Sequence, residues 1–294
     1  MDNRSSCATS SAHAGEPIAG TATASTPRWL VIEHAGPWPR KGLPETLRPD
    51  LRAAVEAARD AVPGTRVLLA RAEAAPGEDG PRVWVARAGE SDRSVQVVRL
   101  APNQPASSLD LAARLRGERT DGEDVPELYL VCTHGQRDRC CARLGMPVYS
   151  ALRAQAPDAT LRASHLGGHR FAPTLVALPA AAHFGRVQPE DAGALLEAVR
   201  RGQRGPARTY RGRTFASRPA QTALCHLHDA LGEPSLDALQ VESEDVHVDA
   251  ATVVVRHGTD HHTVELVQAP GPTPLIKSCG EAATAVPGWR VLAG

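Results

Sequence analysis

The run at 29–33 (Trp-Leu-Val-Ile-Glu) is the first unbroken apolar stretch in the chain and predicts a buried strand. Residues 51–58 have helical periodicity behind Asp50, read as the N-cap. Segments 66–70, 82–86 and 94–100 predict three strands parted by Gly- and acid-rich turns, and 107–115 predicts a helix. The result is a β-α-β-β-β-α unit with no evident chemistry. A second unit begins at Glu127. Residues 128–131 predict a strand running into Cys132, 141–154 a helix, and 161–163 a short strand ending at His165. A Pro-led strand over 171–178 pairs with 183–187, and 189–200 is a helix with Pro189 in its first turn. There is no strict internal repeat, but the shared β-α-β-β order hints at a duplicated fold with one half degenerate.

The flanks read differently. Residues 1–26 are Ser, Thr, Ala and Gly with almost no large apolar side chain, which predicts a disordered tail and makes Cys7 and His13 poor ligands. Residues 201–213 are Arg- and Gly-rich and read as a linker or exposed arm. A helix over 218–230 follows, then strands near 246–248 and 252–256, a hairpin partner at 263–267 and a last strand at 289–292. The expected division is a tail (1–26), an N-terminal unit without ligands (27–125), a second domain (126–205) and a small α+β C-terminal region (206–294). The fold class is α/β (α+β).

Composition narrows the function. With 42% hydrophobic residues the chain buries a real core, but only 3% are aromatic, so aliphatic side chains and Ala must fill it. Formal net charge is zero, which argues against bulk nucleic acid as a partner. The zero hides an asymmetry: residues 130–218 hold fourteen Arg, no Lys and five acidic residues. No apolar run is long enough for a signal peptide or a membrane span, so the expected location is cytoplasmic, where clustered Cys point to metal or redox chemistry.

Two segments concentrate that chemistry. Residues 132–141 read Cys-Thr-His-Gly-Gln-Arg-Asp-Arg-Cys-Cys, and 164–173 read Ser-His-Leu-Gly-Gly-His-Arg-Phe-Ala-Pro. Cys132 ends a strand. Cys140 and Cys141 open a helix, whose N-terminus favours thiolate. His165 and His169 flank glycines that let the backbone curl around a bulky group. Two thiolates and two imidazoles suit a [2Fe-2S] cluster or a Zn2+ ion. Thioredoxin-like folds place a reactive Cys after the first strand, facing a cis-Pro that precedes Thr and an apolar strand. Ala172-Pro173-Thr174-Leu175 takes that place, so a cis bond at Pro173 is expected.

These runs, with the segments 29–38, 210–213 and 278–281, resemble the sucrase/ferredoxin-like family over roughly 27–290. The resemblance implies a thioredoxin-like ferredoxin domain holding a [2Fe-2S] cluster on Cys132, Cys141, His165 and His169, with Cys140 ranked below Cys141. By position both Cys share one iron and both His the other. His134, Arg137, Asp138, Cys140, Gly167, Gly168, Arg170 and Pro173 are expected around the ligands. His134 and Asp138 read as supporting or capping residues. The "sucrase" of the family name finds no support, because glycoside hydrolysis needs paired carboxylates and the motif offers only Asp138.

The function expected is one-electron transfer, proton-coupled through the second ring nitrogen of a His ligand, in a carrier rather than a catalyst. The alternatives are a structural or regulatory Zn2+ module, or a thiol redox protein using Cys140-Cys141. Cys225 and Cys279 read as buried small apolar residues, and His226, His228, His257, His261 and His262 as surface polar residues. The basic stretch 200–218 reads as solvated surface, with docking of an acidic redox partner as the functional option. No membrane is expected.

Overall fold

The computed structural model describes residues 6–72, 80–271 and 273–292. In chain order the elements are α1 (Cys7–His13), β1 (Arg28–Glu33), α2 (Pro49–Ala61), β2 (Thr65–Arg71), β3 (Arg82–Ala88), β4 (Arg93–Arg99), α3 (Leu111–Arg116) and β5 (Glu123–Asp124). There follow β6 (Leu128–Cys132), α4 (Arg139–Arg153), β7 (Thr160–Ala163), β8 (Thr174–Leu178), β9 (Ala182–Gly185), α5 (Ala192–Arg200) and β10 (Tyr210–Arg213). The last are α6 (Arg218–Ala230), β11 (Leu239–Val246), β12 (Ala250–His257), β13 (Asp260–Ala269), β14 (Leu275–Ile276), β15 (Ala283–Thr284) and β16 (Gly288–Val291). The class is α+β, as the patterning predicts. No helix among the described residues is long and apolar enough to cross a membrane.

One ten-stranded sheet carries the site, in the order β10-β9-β8-β6-β7-β2-β1-β3-β4-β5. Its halves repeat one wiring. β1 runs parallel to β2 and antiparallel to β3, and β3 pairs with β4. Likewise β6 runs parallel to β7 and antiparallel to β8, and β8 pairs with β9. The halves join through an antiparallel contact of β2 with β7, where Ala70 faces Ala163. The duplication hinted at by the strand order is therefore present in the topology, and the sheet is continuous across residue 126.

Strand alternation sorts the core into layers. Leu30 and Ile32 of β1 pack with Leu51, Val55 and Ala58 of α2 and with Leu111 and Leu115 of α3. Tyr129 and Val131 of β6 pack with Val148, Tyr149 and Leu152 of α4 and with Leu195 and Leu196 of α5. The opposite sheet face joins Trp29, Val31, Leu128, Leu130 and Cys132 in one cluster spanning both halves. A separate sheet, β11-β12-β13-β16, packs its Val253, Val255 and Val264 on Ala220, Leu224 and Leu227 of α6.

Several expectations are corrected. α2 begins at Pro49, one residue ahead of the expected cap. Arg48 takes the N-cap position and Asp50 accepts from the Ala106 N–H at 2.9 Å. The helix expected at 107–115 splits at Asp110, whose φ of 44° ends a 3-10 turn and caps α3. Residues 6–26, expected as part of a disordered tail, are packed; 1–5 of that tail lie outside the described residues. Thr26 N–H bonds Thr214 O at 2.8 Å, the Thr23 hydroxyl bonds Leu166 O at 2.6 Å, and Ser11 bonds Glu16, which pairs with Arg170. Small polar residues lack apolar payload, but these bonds to the body of the protein take its place.

Only the end of the stretch 201–213 departs from the linker or exposed arm expected there. β10 pairs with β9, and Arg211 and Arg213 are buried. Arg211 donates to Gly167 O at 3.1 Å, to Thr21 O and to the Thr21 hydroxyl at 3.1 Å, and meets His183 Nε2 at 2.8 Å. Arg200, Arg204, Arg208 and Arg213 pair with Glu127, Asp229, Asp191 and Asp237. Four of the arginines in the basic stretch 200–218 are thus paired with carboxylates of the chain itself. His228 is likewise buried, its Nδ1 2.8 Å from Glu233 O, rather than at the surface.

Two substitutions test this packing. Gly145 of α4 lies against β6 so closely that an added Cβ would sit 2.1 Å from Cys132 O. Gly145→Ala is expected to cost at least the ~1–3 kcal/mol of core overpacking, read as a lower denaturation midpoint. Arg211→Met would leave the carbonyls of Thr21 and Gly167 without this donor, at about 1–3 kcal/mol each. A midpoint unchanged in either variant would contradict the packing described.

Candidate metal centre

Cys132 sits at the end of β6, on the face of Leu128 and Leu130, with no solvent exposure. After a tight loop, Asp138 caps α4, accepting the Cys140 N–H at 2.9 Å. This matches the capping role expected of Asp138. Cys140 and Cys141 follow in the first turn. Successive helical residues point about 100° apart, so the two neighbours face different surroundings. Cys141 turns back to Cys132, and Cys140 turns away.

The His run is built by its glycines. β7 ends at Ala163. Ser164 then ties the chain to β2, with its N–H on Leu69 O at 2.8 Å and its hydroxyl accepting the Leu69 N–H at 2.9 Å. Gly167 and Gly168 have φ of 98° and 70°, and a Cβ on Gly168 would lie 2.4 Å from Arg211 Nη2. Only glycine both bends here and lets the buried Arg211 reach the loop. A 3-10 turn, His169–Phe171, follows, and the Ala172–Pro173 bond is cis, as the sequence suggested. Arg66 Nη2 donates to His165 O at 2.6 Å.

One ligand atom each from Cys132, Cys141 and His165 lie within 4.8 Å of one another. Tetrahedral bonds of about 2.3 Å would set ligand sulfurs about 3.8 Å apart, so the spacing is close to what a metal needs. His169 lies beside this group rather than within it, its ring centroid 5.1 Å from that of His165. Its Nε2 is 2.8 Å from the Ser278 hydroxyl and 3.8 Å from Asp138 Oδ2. The Nδ1 atoms of His165 and His169 are both buried with no partner. The Cys141 thiol and His165 hold Cys132 well below the usual thiol range in spite of its burial. Cys141 is pushed up by the same partnership and by burial. Burial lowers His169 more than the Asp138 carboxylate raises it.

The surrounding residues divide. His134 is buried with neither ring nitrogen bonded, edge-on to Trp38 at 5.8 Å, and burial lowers its pKa. Arg137, His134 and His165 line a cleft of about 490 Å³ with Arg40, Lys41 and Arg59. Arg170 pairs with Glu16 and lies over Phe171, so it supports the loop from outside.

Cys140 belongs to a different group. Its Sγ lies 3.6 Å from Cys7 Sγ and 3.3 Å from Cys279 Sγ, while Cys7 and Cys279 are 3.6 Å apart. Asp138 stands over them, its oxygens 3.6 and 3.7 Å from Cys7 Sγ. The bond from Cys7 lowers Cys140 to about 6, whereas Cys7 is raised, chiefly by that bond and by burial. Cys225, by contrast, is buried in an apolar cluster, as expected. Cys279 is not such a residue, and Cys7 is not in a free tail. The Ser-Cys-Gly run at 278–280 was a visible signal for Cys279. Cys7, among small polar residues, had none. Arg66 carried no signal, because a single residue far from the motif has no local pattern, whereas Arg211 and Ser278 lie in the segments 210–213 and 278–281 but were given no role.

No curated protein and no solved structure is matched by this chain. Residues 18–212 match the sucrase/ferredoxin-like family. The stretch holds both sheet halves and the Cys and His runs, but stops short of Cys7 on one side and Ser278 and Cys279 on the other. As it spans well over half of the 294 residues, the chain belongs to the sucrase/ferredoxin-like family.

Proposed function

We propose that Cys132, Cys141, His165 and His169 hold a [2Fe-2S] cluster and that the protein carries single electrons. The observation that supports this most is the meeting of both thiols with His165 inside 4.8 Å, beside a second imidazole. Both rings keep a buried, partnerless Nδ1, a donor atom left for a metal. The wiring of the second sheet half, with Cys132 after its first strand and cis-Pro173 facing that end, fits a thioredoxin-like ferredoxin. When bound, such a cluster supplies one-electron redox chemistry, at a potential raised by imidazole in place of thiolate.

The chain's own residues do the rest. The Ser278 hydroxyl on Nε2 orients the His169 ring, as outer partners of metal-bound His do. Arg66 fixes the backbone of His165, and Arg211 that of Gly167. Cys132 and Cys141 are shut away from water, whereas His165 is partly exposed and borders the cleft with Arg40, Lys41, Arg59, Arg66 and Arg137. Electrons would enter and leave by this edge, and the basic lining suits an acidic redox partner.

A single Zn2+ on the same four residues is the second reading, favoured by the compactness of the Cys132–Cys141–His165 group. Anaerobic purification with iron and acid-labile sulfide analysis separates the two. The expected protein is red-brown, bleaches with dithionite and holds iron and sulfide in equal amounts, about two of each per chain. Cys132→Ser, Cys141→Ser, His165→Ala and His169→Ala should each lose most of the iron and the colour. A colourless protein holding zinc without sulfide would favour the second reading. Iron and spectrum unchanged in both His variants would refute the ligand assignment.

A further inference from the structure

We propose a second metal site: Cys7, Cys140, Cys279 and Asp138 bind one Zn2+ ion, separate from the Cys132–His165 centre. The four donors come from three distant parts of the chain: α1, the start of α4, and the loop after β14. The three sulfurs form a near-equilateral triangle with edges of 3.3, 3.6 and 3.6 Å. The Asp138 carboxylate sits 3.6–3.7 Å from Cys7 Sγ and supplies the fourth donor. Sulfurs about 3.8 Å apart are what a tetrahedral zinc with bonds near 2.3 Å requires, so a small expansion accommodates the ion.

The plainer reading is a patch of small apolar side chains, since Cys7 and Cys140 touch Ala8 and Ala172. A carboxylate does not belong in such a patch. Asp138 is 5% exposed and faces sulfur, and a buried carboxylate calls for a cation or hydrogen-bond donors. It has two backbone donors, the N–H groups of Cys140 and Cys279 at 2.9 and 2.8 Å, and beyond them only the long contacts of the Cys7 thiol at 3.6 and 3.7 Å and of His169 Nε2 at 3.8 Å. The backbone donors fix its orientation while each oxygen keeps a further lone pair. The sulfurs are far beyond the ~2.05 Å of a disulfide. Three soft sulfurs and one oxygen select Zn2+ over Mg2+ or Ca2+, which take oxygen ligands. Binding releases the thiol protons to solvent and forms three Zn–S bonds and one Zn–O bond, with no redox change.

Cys7 and Cys279 both lie outside the family-matching stretch, so the ion would clamp two flanking segments onto the family's core. The site does not depend on which metal the first centre takes.

The test is zinc and iron content per chain for the full-length protein purified under reducing conditions, then exposed to Zn2+ and desalted. One zinc beyond whatever the first centre holds is expected. Cys7→Ser and Cys279→Ser should each lose that zinc at least tenfold while keeping the iron and visible spectrum. Cys132→Ser should lose the iron and keep this zinc. Cys279 is partly exposed in a loop, so if Cys7→Ser fails to fold by circular dichroism, Cys279→Ser decides. As an independent readout, Co2+ in place of zinc should give a near-ultraviolet thiolate-to-metal band that Cys279→Ser abolishes. Zinc unaffected by Cys279→Ser, no zinc uptake, or a disulfide among these three cysteines would overturn the proposal. If the first centre proved to be zinc, the wild type would hold two and Cys279→Ser one, so failure of the cluster reading stays distinguishable.

Discussion

The closeness of α4 to β6 is the constraint on which the centre depends. Gly145 brings the helix into backbone contact with Cys132, where any side chain would strike the Cys132 carbonyl. The first turn of α4 stands beside the end of β6, and the Cys141 thiol meets that of Cys132. The same geometry sends Cys140 the other way. Two adjacent cysteines thus serve two sulfur groups, and Asp138, capping the helix that carries both, also contacts the second group.

Around that contact, beside the apolar core, several loops are held by arginine. With few aromatic residues, the loops near the centre are fixed by guanidinium groups that satisfy backbone carbonyls. Arg66 bonds His165 O, Arg71 Gly36 O and Arg211 Gly167 O. Several of these arginines also stack on what aromatic rings there are, Arg66 on Trp29, Arg71 on Trp38 and Arg211 on Phe171. A planar fork of donors suits this work, since it answers more than one acceptor while its flat face covers a ring. Part of the Arg excess of the second half thus serves the structure, as the buried Arg211 and Arg213 do.

The two sheet halves show how one topology is put to different uses. Where β6 ends in Cys132, β1 ends in Glu33, whose buried carboxylate takes three hydrogen bonds from Arg82 at 2.7–3.0 Å. An internal ion pair stands where the other half has a thiol. The N-terminal half contributes instead by contact: β2 anchors Ser164, Arg66 holds His165, and Trp38 packs on His134. It forms a wall beside the Cys132–Cys141–His165 group.

Alternating apolar positions, the helical periodicity and the Cys and His runs made the order of elements legible from sequence. They located Cys132, Cys141 and His165 at element ends, because such signals are local and span a few residues of chain. What they could not convey was where distant segments return. The residues 6–26 looked unable to fold because their order comes from hydrogen bonds to Thr214, Arg211 and Leu166, none of which is near in sequence. β10 looked like a linker because its arginines are charged, and only the tertiary structure supplies the carbonyls and carboxylates that allow their burial. Cys7, Cys140 and Cys279 meet across more than 130 residues on either side of Cys140, a convergence set by packing rather than by any pattern along the chain.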